Sequence, residues 1–109
     1  MRQIEANMNQ AIRSLLSGGS TNWASGNTTV TKNANNGNVT VLLHGNHIAT
    51  IANDFVAIYD GGWQSNTTKS RLNALLSEFR PQTQVFQKNF NWFISYAGKT
   101  FDFVSGSLV

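Results

Sequence analysis

The sequence predicts a single α+β domain over residues 1–109: an antiparallel sheet of about five or six strands with two helices, in the order α-β-β-β-β-α-β-β. Three observations predict it. Two stretches carry apolar residues at the 3.6-residue period, and several short stretches alternate at period two. Tight Asn- and Gly-rich turns separate the alternating stretches, so their strands pair antiparallel; a parallel connection needs a long crossover. The 109 residues match one domain, and no linker or internal repeat divides them. Seven Phe, three Trp and two Tyr supply apolar bulk for one core.

The first helix is expected over residues 2–17. Ile4, Met8, Ala11, Ile12, Leu15 and Leu16 share one face, while Arg2, Glu5, Asn9 and Arg13 lie mostly off it. Gly18-Gly19 ends it. Such a stripe is the ordinary mark of a helix packed on its own sheet. Residues 20–27, with Trp23 among them, read as a loop. Strands are expected at 28–32, 39–44, 47–52 and 55–59, separated by turns at Asn33–Asn38, Gly45-Asn46 and Asn53-Asp54. Asp60-Gly61-Gly62-Trp63 breaks the sheet.

The second helix is expected at about 67–79, capped by Asn66 or Thr67 and stopped by Pro81. Leu72, Leu75, Leu76 and Phe79 form its buried face, and Lys69, Ser70, Arg71 and Asn73 face elsewhere. A strand then carries Phe86, Lys88, Phe90, Trp92, Ile94 and Tyr96 on one side. Gln87, Asn89, Asn91, Phe93 and Ser95 lie on the other. Ala97-Gly98 is a hairpin turn, and Lys99–Val104 returns with Phe101 and Phe103 on one face.

Charge narrows the function classes. Charged residues make up 12% of the chain and the net charge is +3. The basic pI, near 9.7, reflects the shortage of acids rather than a basic run or stripe. With no Cys, disulfides and thiolate metal sites are excluded. The N-terminus lacks the apolar core of a signal peptide, and no segment approaches the ~20 apolar residues of a membrane helix, so no membrane partner is expected.

The candidates for chemistry are few. His44 and His47 flank a turn and could share a metal with Asp54 or Asp60, but a metal site needs three or four ligands at suitable spacing. Glu5, Asp54, Asp60, Glu78 and Asp102 form no close carboxylate pair. No nucleophile elbow or phosphate-binding loop is present. No enzymatic activity, cofactor or metal is expected.

Binding residues are easier to nominate. Trp63, Asn66, Thr68, Lys69 and Arg71 surround a helix N-terminus, whose free N–H groups suit anions, and Trp63 could stack on a base. Capping alone would also account for these residue types. Phe86, Phe90, Trp92, Phe93, Tyr96, Phe101 and Phe103 form an aromatic block with Lys88 and Lys99 close in sequence. Most of these rings belong to the core. Phe93 has the opposite parity to Trp92 and is the ring expected at the surface.

Leu43-His44-Gly45-Asn46-His47-Ile48-Ala49, Gly61-Gly62-Trp63 and Thr67-Thr68-Lys69-Ser70-Arg71-Leu72-Asn73-Ala74-Leu75 resemble a family of small tailed-bacteriophage proteins. Ile4 to Ile12, Val85 to Phe90 and Trp92 extend the likeness over most of the chain. The resemblance implies a viral origin and brings no catalytic residue with it. The expectation is a phage accessory protein in the host cytoplasm. It would bind a host or phage macromolecule stoichiometrically, as host-takeover or counter-defence proteins do. A protein is the first choice of partner. Single-stranded nucleic acid, met by Trp63, Lys69, Arg71, Lys88 and Phe93, is the alternative. A patch around Phe93 or the last hairpin could also pair two copies.

Overall fold

Two helices and nine strands make up the computed structural model, which describes residues 1–109. Helix α1 spans Gln3–Leu16 and buries Met8, Ile12 and Leu15. Glu5 and Asn9, expected off the apolar stripe, are buried with it. The second helix crosses on that side: Asn9 Nδ2 donates to the Ala74 carbonyl at 3.0 Å, and Glu5 meets Ser70 and Arg71. Helix α2 spans Asn66–Phe79. Its cap is Ser65, one residue before the expected Asn66 and two before Thr67. Ser65 is extended, and its Oγ accepts from the Thr68 N–H at 3.1 Å.

The strands form two antiparallel sheets rather than one. The larger has the order β1-β2-β3-β4-β5-β9. It comprises β1 (Trp23–Ser25), β2 (Thr28–Lys32), β3 (Val39–Leu43), β4 (Asn46–Ile51), β5 (Val56–Ile58) and β9 (Ser107–Leu108). Strand β1 lies inside the expected loop; Gly26-Asn27 turns it back so that Ser25 pairs with Thr28. The turn joining β3 to β4 is His44-Gly45, not Gly45-Asn46. Both turn residues have positive φ, 51° and 77°, and Leu43 pairs with Asn46.

The smaller sheet has the order β6-β7-β8, with β6 at Thr83–Lys88, β7 at Asn91–Tyr96 and β8 at Lys99–Asp102. The single strand expected through Phe86–Tyr96 is thus two strands. Asn89 and Phe90 take φ of 52° and 68°, and Lys88 pairs with Asn91 across a two-residue turn. Asn tolerates the left-handed region, so the chain folds back where the apolar alternation alone reads straight on. After Asp102 the chain leaves this sheet and returns to β5, where Ala57 pairs with Leu108. That return divides the strands between two sheets.

The core joins both sheets to both helices. Val30, Val41, Ile51 and Ile58 of the large sheet meet Ile12, Leu72, Leu75 and Leu76 of the helices, with Val85, Trp92 and Ile94 from the small sheet. Helix α2 also closes one edge of the small sheet. Asn73 Nδ2 donates to the Val85 carbonyl at 2.8 Å, and its Oδ1 accepts from the Val85 N–H at 2.7 Å. An amide side chain thereby takes the place of a neighbouring strand.

Candidate functional site

Arg71, a candidate surface cation from sequence, is interior. Its side chain is 4% exposed and pairs with Glu5, Nη1 to Oε2, at 2.8 Å. Nε donates to Thr28 Oγ1 at 3.1 Å, Nη2 donates to Asn27 Oδ1 at 3.3 Å, and Ser70 Oγ donates to Glu5 Oε2 at 2.6 Å. The guanidinium therefore ties α2 to α1 and to β2 and is closed to a phosphate. Burial pushes the Glu5 carboxyl up, but hydrogen bonds from Ser70 and Arg71 and the Arg71 charge outweigh it and hold Glu5 below its ordinary range. Thr68 is likewise buried and serves the cap.

Other nominated residues gather at one end of the molecule. Lys69 Nζ donates to Gln87 Oε1 at 3.2 Å. With the Asn73–Val85 bonds, this contact runs α2 antiparallel to β6. The first turn of α2 therefore lies beside the tip of the β6–β7 hairpin. Asn66 and Lys88 are exposed there. Trp63, just before the Ser65 cap, is 78% exposed and fills no gap between helix and sheet.

The loop that presents Trp63 is held by Asp60. Its Oδ1 accepts from the Gly62 N–H at 2.8 Å, and the Trp63 N–H donates to the Asp60 carbonyl at 3.3 Å. Gly61 is required in this loop. Its φ is 71°, and a Cβ there would stand 3.2 Å from Asn46 Cβ and 3.3 Å from Ile48 Cγ2. A cleft of about 160 Å³ beside Trp63 is lined by His44, Ile48, Asp60 and Thr67 among others.

Sequence reading missed Phe90. It sits at the hairpin tip, 92% exposed, in the left-handed conformation. The available signal was Lys88-Asn89-Phe90-Asn91, a polar break with Asn at the position best suited to positive φ. Phe93, expected as the surface ring, is half-buried instead. It stacks on Phe86 with ring centroids 5.5 Å apart, on the face of the small sheet turned away from the core.

The histidines stand apart. His44 is exposed on its turn, whereas the His47 ring lies 4.0 Å from the Tyr59 ring, and its Nε2 is 2.7 Å from Thr50 Oγ1. No three His, Asp or Glu side chains gather in the chain. No helix is long and apolar enough to cross a membrane.

In comparison with known proteins, a family model described as Kyanoviridae Gp96 protein matches residues 1–109. No curated protein matches the chain, and no solved structure matches it.

Proposed function

The chain belongs to the Kyanoviridae Gp96 family of phage proteins, and on that premise we propose that it binds a protein partner stoichiometrically in the host cytoplasm. The binding end is the one that carries Phe90 and Trp63. The partner is a host or phage protein, and the role is of the host-takeover or counter-defence kind. No substrate is turned over.

Phe90 is the observation that carries this reading. A lone exposed aromatic is unremarkable, but Phe90 is 92% exposed and also holds φ at 68°. The left-handed backbone costs about 1–2 kcal/mol for a residue with a Cβ, and leaving the ring in water forgoes about 1.5–3 kcal/mol of burial. The two-residue turn accounts for the left-handed backbone, as it does at His44 and Ala97, but no contact within the chain takes up the ring. A partner pocket would, since aromatic anchors at the centre of an interface supply much of its energy. Trp63 adds a second such ring.

Charge favours protein over nucleic acid. With Arg71 interior, Lys69 and Lys88 are the cations of this end, and Lys69 already donates to Gln87. A chain that neutralises several phosphates gathers more. The feature on the side of single-stranded nucleic acid is Trp63, exposed next to a helix start whose Asn66 and Thr67 N–H groups have no partner.

The experiment is capture from phage-infected host lysate with wild type, Phe90→Ala and Trp63→Ala side by side. A protein held by the wild type and lost by both variants is the expected result. The anchor substitutions should cost about 2–4 kcal/mol of binding each. Capture unaffected by either variant overturns the assignment of this end. Steeply salt-dependent binding of labelled oligonucleotides, weakened by Trp63→Ala, transfers it to nucleic acid.

A further inference from the structure

The four sheet edges are protected unequally. The edge of β6 is closed by Asn73 of α2. Strand β1 offers three residues, and α1 packs against it. Strand β9 offers two. Strand β8 offers four, Lys99–Asp102, and all four are exposed. It has no proline and no irregularity in its register with β7. Natural proteins cover, shorten or distort an edge of this kind unless it pairs with something.

The hairpin sets which backbone groups are free. Ala97-Gly98 is a two-residue turn with φ of 48° and 83°, so Tyr96 and Lys99 bond to one another. Alternation then turns the N–H and C=O of Lys99 and Phe101 toward β7, and those of Thr100 and Asp102 outward. Beside this edge runs an apolar groove of about 840 Å³, lined by Phe79, Ile94, Tyr96, Phe101, Leu108 and Val109 among others. Tyr96, Phe101, Val104 and Leu108 are each at least half exposed.

We propose that β8 is the pairing edge of a two-fold homodimer, in which the small sheets of two copies join into one six-stranded sheet. The edge is complementary to itself in one register. Outward-facing residues must oppose outward-facing residues. Asp102 opposite Asp102 of the second copy would set two carboxylates against each other, and Thr100 opposite Thr100 would leave each Asp102 without a cross-strand partner. The remaining register places Thr100 opposite Asp102 of the second copy twice. Each hydroxyl then meets a carboxylate, and Phe101 meets Phe101 of the second copy on the axis. A stable pair covers about 800 Å² of each partner, roughly an eighth of the 6169 Å² that this chain exposes. The four-residue strand supplies part of that area, and the apolar side chains beside it supply the rest.

Phe90 tips the β6–β7 hairpin, at the end of the small sheet opposite the Ala97-Gly98 turn, and lies outside the Lys99–Asp102 ladder, so the two surfaces test separately. Sedimentation of the full chain from low to high micromolar should raise the mass from 12.0 kDa toward twice that value. Thr100→Pro should hold it monomeric: the Thr100 N–H points to solvent in one copy, where proline is tolerated, so circular dichroism should be unchanged. The register has its own test, because the chain has no native cysteine. Mild oxidation should link Phe101→Cys into a covalent dimer at least tenfold faster than Thr100→Cys, whose thiols would lie two residues apart in register. A monomer at every concentration overturns the proposal. So does a dimer that survives Thr100→Pro in a folded chain, or equal cross-linking at both positions.

Discussion

The two sheets alternate in the same way yet differ in what they bury. In the large sheet, Val30, Val39, Val41, Leu43, Ile51, Val56 and Ile58 are closed off under the helices, and Arg71 and Thr28, which enter that core, are paired with each other. In the small sheet, Val85, Trp92 and Ile94 are buried, whereas Phe90, Tyr96 and Phe101 stand at least half exposed and β8 is open along its length. Aliphatic residues concentrate in one sheet and aromatic residues in the other. Branched aliphatics pack well on a pleated, covered surface, whereas large rings suit contacts that a partner completes. The large sheet and its helices carry stability, and the small sheet carries surface.

The sharpest test of that division is Arg71→Ala. It leaves the Glu5 carboxylate buried without its cation and should cost about 3–5 kcal/mol, read from the urea midpoint at unchanged slope. The same pair sets an acid limit. Glu5 titrates below its ordinary 4.5, so its contribution is fully present above that value and is lost as pH falls through the lower folded-state value. Glu5→Gln should flatten this acid limb. A stability unmoved by Arg71→Ala would break the comparison outright.

Asn73→Ala probes the join between the two regions. It removes both bonds to Val85 and leaves that N–H and C=O without partners, at about 1–3 kcal/mol. Loss of native amide protection in β6 before the large sheet would sharpen the comparison, and uniform loss would blur it. Phe90→Gly has the smallest effect and the opposite sign. Glycine relieves the left-handed backbone, so thermal unfolding should move up by the equivalent of about 1 kcal/mol while partner capture falls. A destabilised Phe90→Gly would mean that the ring supports the fold.

The fold class was legible because two signals were strong. Ile4, Met8, Ile12 and Leu15 follow one helical face, and Val39, Val41 and Leu43 alternate cleanly. Hidden from that reading was anything set by a distant neighbour. Arg71 reads as a surface cation because nothing local shows that Glu5, in the other helix, will meet it. The second sheet was hidden by Asn89-Phe90, where the parity of Phe86, Phe90 and Trp92 runs straight through a turn. Of the nominated binding residues, Trp63, Asn66, Lys69 and Lys88 share one end. Thr68 and Arg71 serve the interior, and Phe93 pairs with Phe86 on a different face.

The return of β9 to β5 bears on how fast the molecule assembles. Strands β2 to β5 follow one another through short turns and can zip locally. Ser107 and Ile58, by contrast, are about fifty residues apart, and closing such a loop costs roughly 3 kcal/mol of chain entropy before the two-residue strand returns anything. Helix α2 and the small sheet must already be docked, so that the loop is short in space when β9 arrives. The β5–β9 ladder should therefore be the last to close in refolding and the first to open in unfolding. Substitutions in β9 should speed unfolding while leaving the refolding rate nearly unchanged.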